Sequence, residues 1–118
     1  MYYRARHAAL GNGDQFHVAA YTKKKCAPIG LNSELRNTAR FWKRYPNSDR
    51  FYHEIHAEVD LILKMDDVPH TIHVVRFMKD GRPTMSRPCI HCQNFLRIKG
   101  VRRVRYTNWS GVWEYLYL

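Results

Sequence analysis

The sequence has few acidic residues, few cysteines and no long apolar run. Ten Asp and Glu stand against 20 Lys and Arg in 118 residues, which gives a formal net charge of +10. No apolar stretch approaches the roughly 20 residues that a membrane-spanning helix needs, so we expect no membrane partner. Three cysteines are too few for a secreted domain held by disulfides. Because no apolar run follows residues 1–7, we expect no signal peptide and a cytoplasmic, reducing compartment.

The remaining composition is that of an ordinary globular protein. Apolar residues make up 45% of the chain and charged residues 25%. A chain of this length buries about two thirds of its unfolded surface, which is enough for one hydrophobic core. Since it contains no repeat, low-complexity tract or linker, we expect a single domain over residues 1–118. The excess positive charge leaves a nucleic acid or another anionic partner open.

The first half of the chain predicts one helix followed by two strands. A weak helix covers residues 1–10 and ends at the turn 11–13. Residues 16–22 are rich in β-formers, and residues 26–30 return as a short second strand after the exposed lysines 23–25. Residues 33–45 predict a short helix that runs into a loop at 46–49.

The second half predicts alternating helices and strands. Apolar residues from Ile55 onward recur at helical spacing, and Pro69 ends that element. A buried strand follows at 71–78, then a helix from about Cys89 to Gly100 with Ile90, Phe95 and Ile98 inside. Residues 101–107 alternate apolar and basic side chains, which predicts a strand with Val104 and Tyr106 on one face and Arg103 and Arg105 on the other. Residues 112–118 form the last strand.

These elements predict an α/β fold with a mixed sheet of about five strands flanked by helices. Only about four residues separate the last two strands. That length is too short for a crossover, so the two strands are predicted to form an antiparallel hairpin.

Two short segments carry the chemistry, His56-Ala57-Glu58 and Pro88-Cys89-Ile90-His91-Cys92. They fit the H-x-E and P-C-x-x-C signature of zinc deaminases. One imidazole and two thiolates give Zn²⁺ three ligands and leave the fourth tetrahedral position for water, whose pKa then falls to about 7. Glu58 is predicted to carry the proton from that water.

Other interpretations apply to each segment alone. A single C-x-x-C also occurs as a redox pair or as two buried cysteines, and H-x-E occurs by chance. The combination favours zinc, because both segments open predicted helices with a strand between them. A metalloprotease site is excluded, since His53 and His56 are three residues apart and H-E-x-x-H needs four.

At these residues the chain resembles the cytidine/deoxycytidylate deaminase superfamily, over residues 16–117. The resemblance implies a mixed sheet flanked by helices, with zinc between two helix starts. It implies His56, Cys89 and Cys92 as the metal ligands and Glu58 as the proton shuttle.

The resemblance also implies substrate contacts. Asn32 would contact the sugar or base, although an Asn in a turn before a helix is an equally good interpretation. The backbone carbonyl near Ala57 would read the exocyclic amine. Independently of the resemblance, the charge of Arg87 and its place next to the predicted metal ligands suit it to bind the single phosphate of a nucleotide. The residues 85–87 depart from the Thr-Leu-Glu typical of guanine and tRNA-adenosine deaminases, which favours cytosine.

The sequence gives conflicting signals on the form of the substrate. The short connection before the last strand looks like that of free-cytidine deaminases and certain bacterial deaminase toxins. The Cys-Ile-His-Cys segment looks closer to small phage-type deoxycytidylate deaminases.

Basic residues interleaved with aromatics are typical of single-stranded nucleic-acid binding, although a solvated basic surface and core aromatics explain the same pattern. The candidate contacts are Arg40, Trp42, Lys43, Arg44, Arg103, Arg105 and Trp109.

We therefore predict a zinc-dependent hydrolase that converts cytosine to uracil in a (deoxy)cytidine nucleoside or nucleotide. The alternatives are a cytosine deaminase of single-stranded DNA or RNA, an adenine-directed deaminase, and a nucleic-acid-binding protein with a structural zinc. The aromatic strand 112–118 suggests a subunit contact in a homo-oligomer. Cys26 is expected to be a small buried apolar residue.

Overall fold

A computed structural model describes residues 1–11, 17–32 and 56–118. The predictions for residues 33–45 and 46–49 lie outside these ranges. The described residues form three helices and six strands. In chain order these are α1 (Tyr2–Leu10), β1 (His17–Tyr21), β2 (Gly30–Leu31), α2 (Ala57–Lys64), β3 (Thr71–Phe77), β4 (Pro83–Thr84), α3 (Ile90–Lys99), β5 (Arg103–Thr107) and β6 (Trp113–Tyr117).

The strands form one open mixed sheet in the order β2-β1-β3-β5-β6, with β4 paired to the end of β3. β3 and β5 are parallel, and α3 makes the crossover between them. β1 pairs antiparallel with both β2 and β3. β5 and β6 are antiparallel, with Arg105 opposite Tyr115, so the predicted hairpin at the end of the chain is confirmed. The α/β fold class is confirmed as well.

Each face of the sheet packs against different helices. Alternate residues of β3 and β5, among them Ile72, Val74 and Val104, pack against α2 and α3. The other face carries Val75 and Phe77, which pack with the buried alanines of α1. The metal-ligand segments belong to the first face, which we call the α2–α3 face. We call the second the α1 face.

Three details differ from the prediction. The second strand is Gly30–Leu31 rather than 26–30. Pro28 lies within the predicted range and disfavours a strand there, because proline has no N–H to donate to the hydrogen bonds between strands. Cys26 is exposed in a turn with φ +63, so its prediction as a buried residue is wrong. Ile90 and Ile98 are 60% and 83% exposed, because α3 packs through other residues.

No helix in the described part of the chain combines the length and apolarity needed to cross a membrane.

Candidate metal centre and its cavity

The fold brings three metal-ligating side chains together. His56 directly precedes α2, Cys89 directly precedes α3, and Cys92 lies in the first turn of α3. The His56 Nδ1 atom is 3.1 Å from Cys92 Sγ and 3.7 Å from Cys89 Sγ. All three candidate ligand atoms lie within 4.8 Å of one another. These are the three residues that the sequence predicts as ligands.

The donor set and its spacing fit zinc. Zn–S bonds of about 2.3 Å and Zn–N bonds of about 2.0–2.1 Å in a tetrahedral site place ligand atoms roughly 3.5–3.8 Å apart. The distance from His56 Nδ1 to Cys89 Sγ, 3.7 Å, falls within this range, and the distance to Cys92 Sγ, 3.1 Å, is somewhat shorter. One imidazole and two thiols are also the soft, borderline donors that Zn²⁺ prefers over oxygen-only ligand sets. His56, Cys89 and Cys92 together can therefore hold a metal ion, and their donor atoms are chemically suited to zinc.

A close approach between β2 and α2 positions His56. Gly30 has no side chain, so its backbone lies directly against the carbonyl of Ala57 and the backbone of Leu61. The Leu31 N–H donates to the Asp60 carboxylate at 2.9 Å, and Lys64 Nζ lies 2.7 Å from the same carboxylate. The start of α2 is thereby fixed against the sheet.

A buried hydrogen-bond network holds the segment that leads into Cys89. The Ser86 hydroxyl donates to the Val74 carbonyl at 2.7 Å and accepts from the Thr107 N–H at 2.8 Å. The Thr107 hydroxyl donates to the Thr84 carbonyl at 2.6 Å. Because these bonds join β3, β5 and the segment before α3, they fix where Cys89 enters the site.

The pKa values of the two thiols are shifted in opposite directions. A hydrogen bond from Cys92 lowers the pKa of Cys89 to about 3, and the same hydrogen bond together with burial raises the pKa of Cys92. The start of α3 also favours negative charge, since helix N-termini carry a partial positive charge. Both effects favour the thiolate form of Cys89, which is the form that binds a metal.

Glu58 lies inside the protein beside this cluster. Its side chain is 4% exposed, and burial raises the pKa of its carboxyl group, while the charge of His56 lowers it to a smaller extent. A hydrogen bond with the Cys92 side chain also lowers the pKa of Glu58, by less than burial raises it. A raised pKa makes a carboxyl group a better proton acceptor, which suits a group that transfers protons.

A cavity of about 250 Å³ opens onto His56, Glu58 and Cys89. This volume is close to the lower end of the roughly 300–1,000 Å³ typical of small-molecule sites. The three predicted substrate contacts, Asn32, Ala57 and Arg87, all line it. The Asn32 side-chain oxygen accepts from the Val18 N–H at 3.1 Å, and the Arg87 guanidinium lies 6.0 Å from the centre of the Tyr106 ring.

Sequence reasoning missed other residues of this cavity, above all Arg76. Arg76 belongs to β3, pairs with Val18 of β1 in the sheet register, and lines the cavity. Its signal in the sequence is a single arginine within the otherwise apolar end of a strand. Met85 and Ser86 also line the cavity.

The predicted nucleic-acid contacts that lie within the described residues do not join this site. Arg103 and Arg105 alternate with Val104 and so lie on the α1 face of the sheet, away from the cavity. Trp109 is 72% exposed in the loop between β5 and β6. The other four predicted contacts, Arg40, Trp42, Lys43 and Arg44, lie outside the described residues.

No protein-family model matches the chain, and no curated protein matches it either.

Proposed function

We propose that this chain is a zinc-dependent hydrolytic deaminase that converts cytosine to uracil in a (deoxy)cytidine nucleoside or nucleotide. The observation that carries the proposal is the buried Glu58 beside three metal-ligating side chains at a cavity. A purely structural zinc site is closed by four protein ligands and has no use for a buried acid. The resemblance of both segments to the cytidine/deoxycytidylate deaminase superfamily supports the same reaction.

His56, Cys89 and Cys92 would hold the zinc, which when bound supplies a Lewis-acidic centre that lowers the pKa of a water ligand. Glu58 takes a proton from the attacking water and delivers it to the ring nitrogen of the base. It then transfers the water's second proton to the departing amine. A C–O bond forms, the exocyclic C–N bond breaks, ammonia leaves, and Glu58 returns to its starting state.

The cavity residues would orient the base for this attack. The backbone carbonyl of Ala57 would accept a hydrogen bond from the exocyclic amine, which distinguishes an amino group from an oxo group. Asn32, which also lines the cavity, would offer its amide to the sugar or base. The volume of about 250 Å³ suits a single heterocyclic base rather than a larger ligand.

Two arginines at the cavity support a substrate that carries phosphate. Arg76 and Arg87 both line the cavity, and a guanidinium binds phosphate with paired N–H donors. A nucleoside has no group that would need them. A nucleotide is therefore favoured over a free nucleoside, and a single-stranded polynucleotide is the second candidate.

The decisive experiment compares the zinc-loaded protein with Glu58→Gln. Substrates should include cytidine, deoxycytidine, their monophosphates, adenosine, and single-stranded DNA and RNA. We expect uracil formation by the wild type and a loss of roughly 10²–10⁴-fold in the variant, with zinc content unchanged. An equally active variant would disprove the role of Glu58. Absence of turnover on every substrate, with zinc fully bound, would instead favour a structural zinc.

The phosphate contact has its own test. Arg87→Gln should raise KM for a cytosine monophosphate by roughly tenfold, the effect of losing one charge-assisted contact, while KM for the nucleoside stays unchanged. Arg82→Gln is the matched control, because Arg82 is exposed and bonds to Asp80 at 2.6 Å, away from the cavity. Equal effects on both substrates would contradict the assignment.

A further inference from the structure

A second surface lies on the α1 face of the sheet, along β5 and β6. Strand alternation places five side chains there, Arg103, Arg105, Trp113, Tyr115 and Tyr117. We call these five residues the β5–β6 surface. The helix on this face, α1, packs on β1 and β3. Tyr115 and Tyr117 are 49% and 73% exposed, so this half of the face is open to solvent.

Arginines and aromatic rings alternate across this surface in close contact. The Arg103 guanidinium lies 4.7 Å from the centre of the Tyr115 ring, and that of Arg105 lies 4.6 Å from the Trp113 ring. Tyr115 and Tyr117 stack at 6.4 Å with an interplanar angle of 26°. The hairpin register builds this arrangement, because it pairs each arginine with a tyrosine across the strands.

The charged side chains of the β5–β6 surface are both positive. β1, β3 and β5 contain no Asp or Glu, and Glu114 of β6 alternates with Trp113 and Tyr115 and so belongs to the other face. Beneath the surface, His73 is 5% exposed and its Nδ1 has no hydrogen-bond partner among the described residues. Burial, followed by the charges of Lys23, Arg105 and Arg103, lowers the pKa of His73 to about 4.

A second cavity, of about 330 Å³, adjoins the β5–β6 surface and shares Arg105 and Trp113 with it. Three of its six lining side chains are aromatic, and two are cationic. The lining residues are Met1, Tyr2, Tyr21, Lys23, Arg105 and Trp113. Aromatic walls beside cations suit a flat base attached to a phosphate.

We propose that the β5–β6 surface binds single-stranded nucleic acid, separately from the metal centre. Arg103 and Arg105 contact phosphates, and unpaired bases stack on Tyr115, Tyr117 and the guanidinium planes. One base enters the adjoining cavity. The proposal does not depend on the deaminase reaction, since the two sites lie on opposite faces of the sheet.

The arrangement of charges disfavours a second copy of the chain as the occupant. In a two-fold symmetric contact the same patch meets itself, which would bring arginines against arginines with no acidic residue of these strands to pair them. A polyanion instead meets the surface with complementary charge.

Binding is tested by fluorescence anisotropy with labelled oligothymidylate of roughly 12 nucleotides, within the range of small single-strand-binding domains. Because thymidylate contains no cytosine, its binding is measured independently of any deamination. The variant Arg103→Gln/Arg105→Gln should weaken binding at least roughly tenfold at low salt. The slope of log K against log salt should fall by about 1.4, from about 0.7 per phosphate contact. Tyr115→Ala/Tyr117→Ala should weaken binding by roughly tenfold or more with the slope unchanged.

The matched control is Arg97→Gln/Lys99→Gln, which removes the same charge from α3 on the other side of the sheet. It should change affinity by less than about threefold. Thermal unfolding of every variant verifies folding, and the tyrosine pair keeps the test valid if the arginine pair is unstable.

Three results would overturn the proposal. One is the absence of oligothymidylate binding at low salt. Another is equal weakening by the control pair, which would mean diffuse charge attraction. The third is a sedimentation experiment in which the wild type dimerises and Tyr115→Ala/Tyr117→Ala does not, which would assign the surface to a second copy. Failure of Glu58→Gln to alter turnover would leave this binding result untouched.

Discussion

Gly30 lies so close to Leu61 that a β-carbon at position 30 would be 2.6 Å from the Leu61 backbone nitrogen and 2.7 Å from its Cβ. Backbone atoms of a helix cannot move aside as a flexible side chain can. Any side chain at position 30 would therefore push α2 away from β2. His56 and Glu58 lie at the start of α2, so this contact between a strand and a helix sets the position of the site.

Gly30→Ala should therefore destabilise the protein by about 1–3 kcal/mol, the usual cost of overpacking, and should weaken zinc binding. Thermal unfolding and zinc titration measure the two effects. Gly11→Ala is the control, since a β-carbon there would be 3.4 Å from its nearest neighbour and Gly11 has φ −80. A Gly30→Ala protein that unfolds at the wild-type temperature would contradict the close approach.

Removal of any one ligand should abolish stoichiometric zinc binding. Cys89→Ser, Cys92→Ser and His56→Ala each leave two donors of the three that lie within 4.8 Å. Zinc content should fall from about one ion per chain to near zero, and the thiolate charge-transfer absorption of the Co²⁺-substituted protein should disappear with either cysteine. Cys26→Ser should retain the metal, because Cys26 is exposed and outside the cluster. Full zinc occupancy in Cys92→Ser would refute the assigned ligand set.

Ser86→Ala should destabilise the protein by about 1–3 kcal/mol, because it leaves the Val74 carbonyl and the Thr107 N–H without their partner inside the protein. Denaturant unfolding measures the loss. Ser110→Ala, in the exposed β5–β6 loop, should change stability by less than about 0.5 kcal/mol. Equal effects of the two substitutions would mean that the Ser86 network contributes no stability.

Acid should destabilise the protein in part through His73. Its folded-state pKa is lowered to about 4 from the ordinary 6.5, so the unfolded state binds more protons between these values. The stability that His73 contributes is present above about pH 6.5 and is lost as the pH falls toward 4. His73→Phe keeps a ring between Tyr21 and Trp113 and should lose less stability over that window, by on the order of 1–2 kcal/mol. Parallel pH profiles of the two proteins would disprove this linkage.

The strongly periodic elements could be predicted from sequence, and the elements made by tertiary contact could not. The alternation of Val104 and Tyr106 with two arginines correctly predicted β5 and its two faces. β4 is two residues long and includes Pro83, so only its pairing with β3 reveals it.

The inner face of α3 could not be predicted from sequence either. Cys92 and Leu96 are buried and lie four residues apart, on one side of the helix. Ile90 and Ile98 fall on the opposite side and are exposed, although they are the more hydrophobic residues. Hydrophobicity alone therefore predicts the wrong inner face for this helix.

In the candidate site, the three candidate ligands could be predicted because they belong to two short motifs, H-x-E and C-x-x-C, each of which is local in sequence. Arg76 could not, because its place at the cavity depends on the register of β3 against β1. Register is set by pairing between strands more than 50 residues apart, which no local pattern encodes.

His56 and Cys89 occupy the N-cap positions of α2 and α3, and neither side chain makes a capping hydrogen bond. Ser, Thr, Asp or Asn at such a position stabilises a helix by about 0.5–2 kcal/mol relative to an uncapped one. The chain thus gives up stability at two helix starts to present metal donors. His56→Asn and Cys89→Asp should therefore raise the melting temperature of the metal-free protein while destroying the site, a stability–function trade-off confined to two positions.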